Sequence, residues 1–236
     1  MTAVAGRDES RPVVAGPTMS TARRIWLWLE MTIVFIGAPV AMTFVIHIYK
    51  VPLFIVLLPV LVLFIVMMLA DRTFSMVRSL ATGFSFLEFL SILIIFAIAG
   101  FAIMNYSRVN LPGWYMSFPR RAPNAWLLIM IAYPLVSVTT QELIYRVFYF
   151  HRYGPLFGRH AWLAILLNGV LFAFGHIMFR NWPSVLISLA GGLLFAWRYH
   201  RTRSFWAVFI EHSLYGDLLF TAGLGRYFFT GFSMFQ

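Results

Sequence analysis

The sequence contains no cysteine and few charged residues, and both features limit the classes of protein to which it can belong. Without cysteine the chain has no disulfide and no thiol that could act as a nucleophile or ligand. Charged residues make up 11% of the 236 positions, against about 25% in a soluble globular domain. Hydrophobic residues reach 61%, and the mean hydropathy is +0.82. A soluble surface this apolar would stick to other surfaces, so the composition indicates a membrane protein.

Several catalytic motifs are also missing. No histidine is followed by glutamate, which excludes a His-Glu-x-x-His zinc helix. Asp217 is the only aspartate inside an apolar run, so the paired aspartates of an aspartyl protease are absent. The chain has neither a Gly-x-Ser-Gly turn nor a glycine-rich phosphate loop.

Seven long apolar runs predict membrane-spanning helices. A helix needs about 20 mostly apolar residues to cross a bilayer core of about 30 Å, and in lipid every backbone polar group must be paired within the chain. The runs cover residues 25–49, 51–70, 85–105, 124–150, 161–179, 183–199 and 204–223. A shorter aromatic stretch, 224–236, leaves room for an eighth, partial or interfacial helix. The sequence therefore predicts an all-α polytopic membrane bundle of about seven or eight transmembrane helices.

The basic residues predict the orientation of this bundle. The net charge is +10, but the basic side chains lie mainly between the apolar runs. With the N-terminus in the cytoplasm, inside segments hold eleven Lys or Arg residues and outside segments hold six, as the positive-inside rule requires. We therefore interpret the charge as a topology signal and an attraction to anionic lipid headgroups, not as a nucleic-acid interface. The expected location is the plasma (inner) membrane.

Three regions are expected along the chain. Residues 1–22 mix glycine, proline, serine and charges, and are typical of a disordered cytoplasmic tail. Residues 23–123 would form the first three helices and an outer loop. Residues 124–236 would form the core that carries the functional site.

Ionisable side chains inside apolar runs are the candidate functional residues, because they are costly in lipid. Those near the ends of runs are interpreted as reaching the membrane interface; they are Glu30, His47 and Glu88. The other six fall between residues 142 and 217: Glu142, Arg146, His176, Glu211, His212 and Asp217. Taken singly, each of these residues could have a purely structural role, namely in an ion pair, as a hydrogen-bonded histidine of the core or as a carboxylate at the start of a helix.

Together the six residues suit hydrolysis. Glu142 and Arg146 are four residues apart and share a helix face, so the guanidinium could hold the carboxylate. A desolvated carboxylate can take a proton from water, while imidazoles can orient water or stabilise an oxyanion. At 1.5 Å per residue, Glu142 and His212 lie at matching depths, about 12 Å from the inner ends of their runs. His176 lies about 10 Å farther out on the same count, which is a strain in this prediction.

Three segments resemble the motifs of the CPBP family, which comprises CAAX endopeptidases and bacteriocin-processing (Abi) enzymes. Residues 141–146 read Gln-Glu-Leu-Ile-Tyr-Arg and resemble the family's Glu-Glu-x-x-x-Arg motif. Residues 172–176 read Phe-Ala-Phe-Gly-His and match its Phe-x-x-x-His motif. His212 resembles the histidine that opens a third motif, His-x-x-x-Asn. The order and spacing agree over roughly residues 124–229.

The resemblance implies an intramembrane endopeptidase acting on a membrane-associated or lipidated peptide. It assigns water activation to the glutamates and the first histidine, and oxyanion stabilisation to the second histidine and the asparagine. The expected catalytic residues are therefore Glu142, Arg146, His176 and His212, with Gln141, Phe172 and Asp217 in support. Glu142, His176 and His212 would also satisfy a three-ligand catalytic zinc site in type and number, and a metal-free site equally well.

Two departures from the family pattern keep alternatives open. Gln141 replaces the first glutamate and has no carboxylate, and Gly216 stands where the asparagine is expected. Asp217 follows it, but as an anion it donates no hydrogen bond. A catalytically impaired scaffold or immunity protein is therefore the main alternative to a protease. A proton-coupled transporter is a third, although only Gly191 and Gly192 suggest a broken helix.

Overall fold

The computed structural model describes residues 19–229. Within this range the secondary structure is helical throughout and contains no strand, which confirms the all-α prediction. The predicted tail lies outside the described residues up to position 18, and so do residues 230–236 of the last aromatic stretch. The helix α1 already begins at Thr21, because the side chain of Ser20 caps it by accepting a hydrogen bond from the Arg23 amide.

Seven long helices coincide with the seven predicted apolar runs. In chain order the helices are α1 (Thr21–Tyr49), α2 (Leu53–Ala70), α3 (Met76–Ala81), α4 (Phe86–Asn110), α5 (Ser117–Arg121), α6 (Pro123–Arg152), α7 (Ala161–Phe179), α8 (Trp182–Thr202) and α9 (Phe205–Ala222). The helices α3 and α5 are short connections. Two further short segments are 3₁₀ turns, Gly154–Phe157 and Leu224–Phe228.

Four of the long helices are long and apolar enough to cross a membrane. They are α1, α4, α6 and α7. The helices α8 and α9 are less apolar because they carry ionisable residues, including Arg198 on α8 and Glu211 and His212 on α9. Large apolar side chains point away from the protein on several helices, such as Phe101 at 76% exposure and Trp182 at 77%. Apolar surface of this extent is typical of lipid contact, while the number of crossings stays a prediction.

Two π-helical turns interrupt α6 on either side of the segment Thr139–Glu142. They cover Tyr133–Val138 and Leu143–Phe148. A π turn adds a residue to the helical repeat and changes the direction of the side chains that follow, and such turns are frequent at functional sites. Pro134, which has no N–H to donate, lies in the first of them. The faces that α6 presents to its neighbours therefore differ from those of a regular helix.

The helices α7 and α8 pack closely through glycines. A Cβ atom at Gly192 would lie 3.0 Å from the carbonyl oxygen of Gly169. Small residues let membrane helices approach at this distance. This contact places Phe172 and His176 of α7 beside the inward face of α8.

Ion pairs with arginines hold the carboxylates of Glu30 and Glu88, for which an interfacial position is expected. Arg152 donates two hydrogen bonds to Glu30, at 2.8 and 2.7 Å. Arg198 donates to Glu88 at 2.7 Å and to both carboxylate oxygens of Glu211 at 3.0 Å. These contacts join helices to one another, and the interfacial positions of Glu30 and Glu88 stay a prediction.

His47 and Asp71 also find partners within the protein. A ring nitrogen of His47 lies 2.8 Å from the carbonyl oxygen of Met178. Asp71, in the turn after α2, accepts hydrogen bonds from the hydroxyl and the amide of Thr73 at 2.6 and 2.9 Å. These bonds hold the pKa of Asp71 below its ordinary value, because they stabilise the ionised carboxylate.

Candidate active site

Glu142 and Arg146 form the ion pair that their spacing predicts. Nε of Arg146 lies 3.4 Å from Oε2 of Glu142, and both side chains are fully buried. The guanidinium also lies over the ring of Phe172, with Cζ 4.5 Å from the ring centroid. The ion pair therefore fixes the position of the Glu142 carboxylate inside the protein.

Glu142 also binds His212, which lies 70 positions later in the chain. Oε1 of Glu142 and Nδ1 of His212 are 2.7 Å apart. A carboxylate can only accept, so the hydrogen of this bond lies on Nδ1. In the neutral ring the second nitrogen, Nε2, is then a hydrogen-bond acceptor. The geometry thus gives His212 one defined tautomer.

The acceptor nitrogen of His212 is satisfied by Tyr133, a residue that the sequence reasoning missed. The hydroxyl of Tyr133 lies 3.0 Å from Nε2 of His212 and donates to it. Tyr133 lies on the first π turn of α6, and its ring packs edge-on against Phe220 at 5.3 Å. A carboxylate, an imidazole and a phenol are therefore connected in series.

The glycine at position 216 is the sequence feature that corresponds to this contact. A Cβ atom built on Gly216 would lie 2.5 Å from Cζ of Tyr133, so any side chain at position 216 would collide with the phenol ring. The absence of a side chain at position 216 is therefore what leaves room for the Tyr133 ring.

His176 joins the other site residues despite the depth expected from residue counting. Its Nδ1 donates to the carbonyl oxygen of Phe172 at 2.7 Å. The ring of Phe172 packs against both imidazoles, with centroid distances of 4.8 Å to His176 and 5.7 Å to His212. Nε2 of His176 makes no hydrogen bond within residues 19–229. This nitrogen is therefore a free acceptor next to the Glu142–His212 pair.

A cavity of about 910 Å³ opens beside these residues. All seven long helices contribute to its wall, and most of the lining is apolar. Polar side chains on the wall include Tyr133, Gln141, His176, His212 and Tyr215. Glu142 is fully buried and does not line the cavity. His212 lines the cavity and contacts the Glu142 carboxylate, so it is the residue that connects this carboxylate to the cavity.

Gln141, at the first position of the glutamate motif, does face the cavity. Its Nε2 donates to the hydroxyl of Ser137 at 2.8 Å. Its Oε1 is buried and has no hydrogen-bond partner among the described residues. The first position of the motif therefore lies on the cavity wall and carries an amide. An amide accepts and donates hydrogen bonds but takes no proton.

Asp217, expected as a supporting residue, does not line the cavity. Its Oδ1 is buried without a hydrogen-bond partner in the part of the chain that the structure describes. Its backbone carbonyl accepts a hydrogen bond from Thr221 at 2.7 Å. The structure therefore brings together Glu142, Arg146, His176, His212, Gln141 and Phe172, while the Asp217 carboxyl lies off the cavity wall.

The donor atoms do not fit the zinc site that the residue types allow. Among residues 19–229 no group of three or more His, Asp or Glu side chains is arranged to hold a metal ion. Both ring nitrogens of His212 are already hydrogen-bonded, and the carboxylate of Glu142 faces the charge of Arg146.

One protein family matches this part of the chain. A model described as type II CAAX prenyl endopeptidase Rce1-like matches residues 123–216, which span α6 to the middle of α9. This confirms the resemblance to the CPBP family over the helices that carry Glu142, His176 and His212, and points to a protease embedded in the membrane. Comparisons with curated proteins and with solved structures gave no match.

Proposed function

We propose that this chain, which resembles type II CAAX prenyl endopeptidases over residues 123–216, hydrolyses peptide bonds of a membrane-associated substrate at the Glu142–His212 pair. The observation that carries this proposal is the 2.7 Å contact between these two residues beside a large apolar cavity. A buried carboxylate that orients an imidazole is a recurring device of hydrolytic enzymes.

His212 is the base in this proposal. Its Nδ1 donates to Glu142, so Nε2 holds the lone pair that can take a proton. As Nε2 is protonated, the adjacent carboxylate stabilises the imidazolium that forms. Arg146 holds the Glu142 carboxylate in place. His176, with its free acceptor Nε2, holds the attacking water through one of its hydrogens.

The proposed reaction balances without any other group. The water oxygen bonds to the carbonyl carbon, and one water proton passes to Nε2 of His212. The resulting tetrahedral intermediate loses the amide nitrogen as the C–N bond breaks, and His212 returns its proton to that nitrogen. The products are a carboxylic acid and an amine, and the site is regenerated.

The cavity favours a substrate with a large apolar part. The cavity has a volume of about 910 Å³ and a mostly apolar wall, and His176 and His212 are among its polar side chains. A lipidated C-terminal peptide of the CAAX type has this division between an apolar chain and a polar backbone, and a leader peptide processed in the membrane is the alternative. The proposed setting is the plasma membrane, with the N-terminus in the cytoplasm.

The direct test compares peptide termini by mass spectrometry in cells that carry wild type, His176→Ala or His212→Ala. We expect new termini with wild type only, because each variant removes an imidazole that the hydrolysis uses. Membrane abundance of the three proteins, measured on the same samples, is the control. Identical termini at equal abundance would argue against this site as the seat of proteolysis.

A catalytically impaired scaffold is the second candidate, and Gln141 is the observation that favours it. Its amide faces the cavity where the family motif has a carboxylate. Gln141→Glu restores that carboxylate with almost no change in volume. If the chain is an impaired protease, the variant should create or raise cleavage several-fold, measured by the same comparison of termini. If wild type is already a competent protease, the added charge should leave cleavage unchanged or lower it.

A further inference from the structure

The site needs a hydrogen-bond donor for the negative charge that develops on the carbonyl oxygen. Such donors contribute much of the rate enhancement in acyl transfer. The resemblance assigns this role to His212 and to a side chain at position 216. Nε2 of His212, however, is an acceptor in the tautomer that Glu142 imposes, and Gly216 has no side chain. Neither residue can therefore donate at the start of the reaction.

Tyr133 is the donor that the structure offers in their place. Tyr133 lines the cavity, and its hydroxyl lies 3.0 Å from Nε2 of His212. Phe220 and the backbone at Gly216 hold the ring from two sides. A phenol has one O–H that turns about the Cζ–O bond without moving the ring. The donor is thus fixed in position, while its hydrogen can change partner.

We propose that Tyr133 donates a hydrogen bond to the oxyanion of the tetrahedral intermediate, in space made available by Gly216. This role rests on the proposed hydrolysis and adds a catalytic residue to it. Before substrate binds, the phenol hydrogen points to Nε2 of His212. When a carbonyl enters, the hydrogen turns to the carbonyl oxygen and leaves the lone pair of Nε2 free for the water proton. No bond of Tyr133 is broken, so the proton balance of the reaction is unchanged.

The first experiment removes the hydroxyl alone. Tyr133→Phe keeps the ring against Gly216, and we expect kcat for a substrate identified from the new termini to fall about 10² to 10³-fold, as for loss of one oxyanion donor. KM should change little, because the interaction forms in the transition state.

Tyr149→Phe is the matched control. Tyr149 lies on the same helix, is fully buried and donates to Ala164 at 3.2 Å, away from the cavity. That variant should keep the wild-type kcat.

A second experiment exchanges the donor between helices. Gly216→Asn alone should be inactive, because its side chain collides with the Tyr133 ring. Tyr133→Ala alone should be slow, because it lacks the donor. The combination of Tyr133→Ala with Gly216→Asn removes the collision and supplies an amide donor from α9. We expect it to cleave at least several-fold faster than either single variant, a gain that loss of packing alone cannot produce.

The outcomes separate this role from the proposed function. Wild-type kcat in a folded Tyr133→Phe variant would overturn the role of Tyr133 and leave the hydrolysis intact, as would a combined variant no faster than the single ones. Absence of cleavage by wild type would overturn the proposed function and this role with it. A fall in kcat in Tyr133→Phe with wild-type behaviour in Tyr149→Phe supports both.

Discussion

Glu142→Gln should lower the rate of peptide cleavage about 10⁴-fold, the loss seen when a buried carboxylate behind a catalytic imidazole becomes an amide. Glutamine can present its NH₂ group to Nδ1 of His212, which moves the ring hydrogen to Nε2. Nε2 then has no lone pair for the water proton. The measurement is the turnover of a peptide identified from the new termini, with protein purified in detergent.

The same substitution should also destabilise the protein, because it leaves Arg146 without its carboxylate. Both side chains are fully buried, and breaking such a pair costs about 3–5 kcal/mol. Adding Arg146→Met removes the stranded charge and should restore much of the thermal stability, yet the double variant should stay inactive. Recovery of cleavage together with stability would show that Glu142 is structural and that the catalytic assignment is wrong.

Arg198→Ala should cause the largest loss of stability among single substitutions outside the site. Arg198 is fully buried and joins three helices, because it donates to Glu211 on α9 and to Glu88 and Ser91 on α4. Its removal leaves the Glu211 carboxylate buried without a charged partner. The expected cost is about 3–5 kcal/mol, seen as a lower unfolding temperature and lower abundance in the membrane.

Arg201→Ala is the matched control for this prediction. Arg201 donates to the same Glu88 at 2.6 Å, but its side chain is 58% exposed. An exposed ion pair contributes about 0–1 kcal/mol, so this variant should unfold close to wild type. Equal destabilisation by the two arginine variants would show that the burial of Arg198 does not increase its contribution to the free energy of unfolding.

The helices were predictable from the sequence because their signal is local. Each of the seven apolar runs coincides with a long helix, since lipid requires unbroken apolar length. The Glu142–Arg146 contact was also predictable from its spacing of four residues. The bond between Glu142 and His212 was predictable only as a shared depth. Which faces two helices turn toward each other depends on packing, and the two π turns of α6 change those faces without a mark in the apolar pattern.

The missed features depend on contacts between distant segments. In the sequence Tyr133 is an ordinary aromatic residue of an apolar run, and its hydrogen bond to His212 and the packing of its ring against Gly216 place it at the site. Glu30 and Glu88 lie near run ends, and their ion pairs with arginines 122 and 110 residues away depend on how the helices pack. The depth count placed His176 about 10 Å farther out than Glu142 and His212. The ring of Phe172 nevertheless packs against both imidazoles, a contact that a count along single helices does not include.

The pair formed by Arg198 and Glu211 also bears on how the chain enters the bilayer during synthesis. The two residues lie 13 positions apart on consecutive helices, α8 and α9, which only the short connection 203–204 separates. An arginine or aspartate at the centre of a membrane helix costs about 2.5–3.5 kcal/mol during insertion, and less nearer the helix end, so each charge would penalise its helix entering alone. A helical hairpin in which the two charges neutralise each other would avoid most of this cost. We therefore expect α8 and α9 to enter the bilayer together as a hairpin, which would carry His212 into the membrane with it.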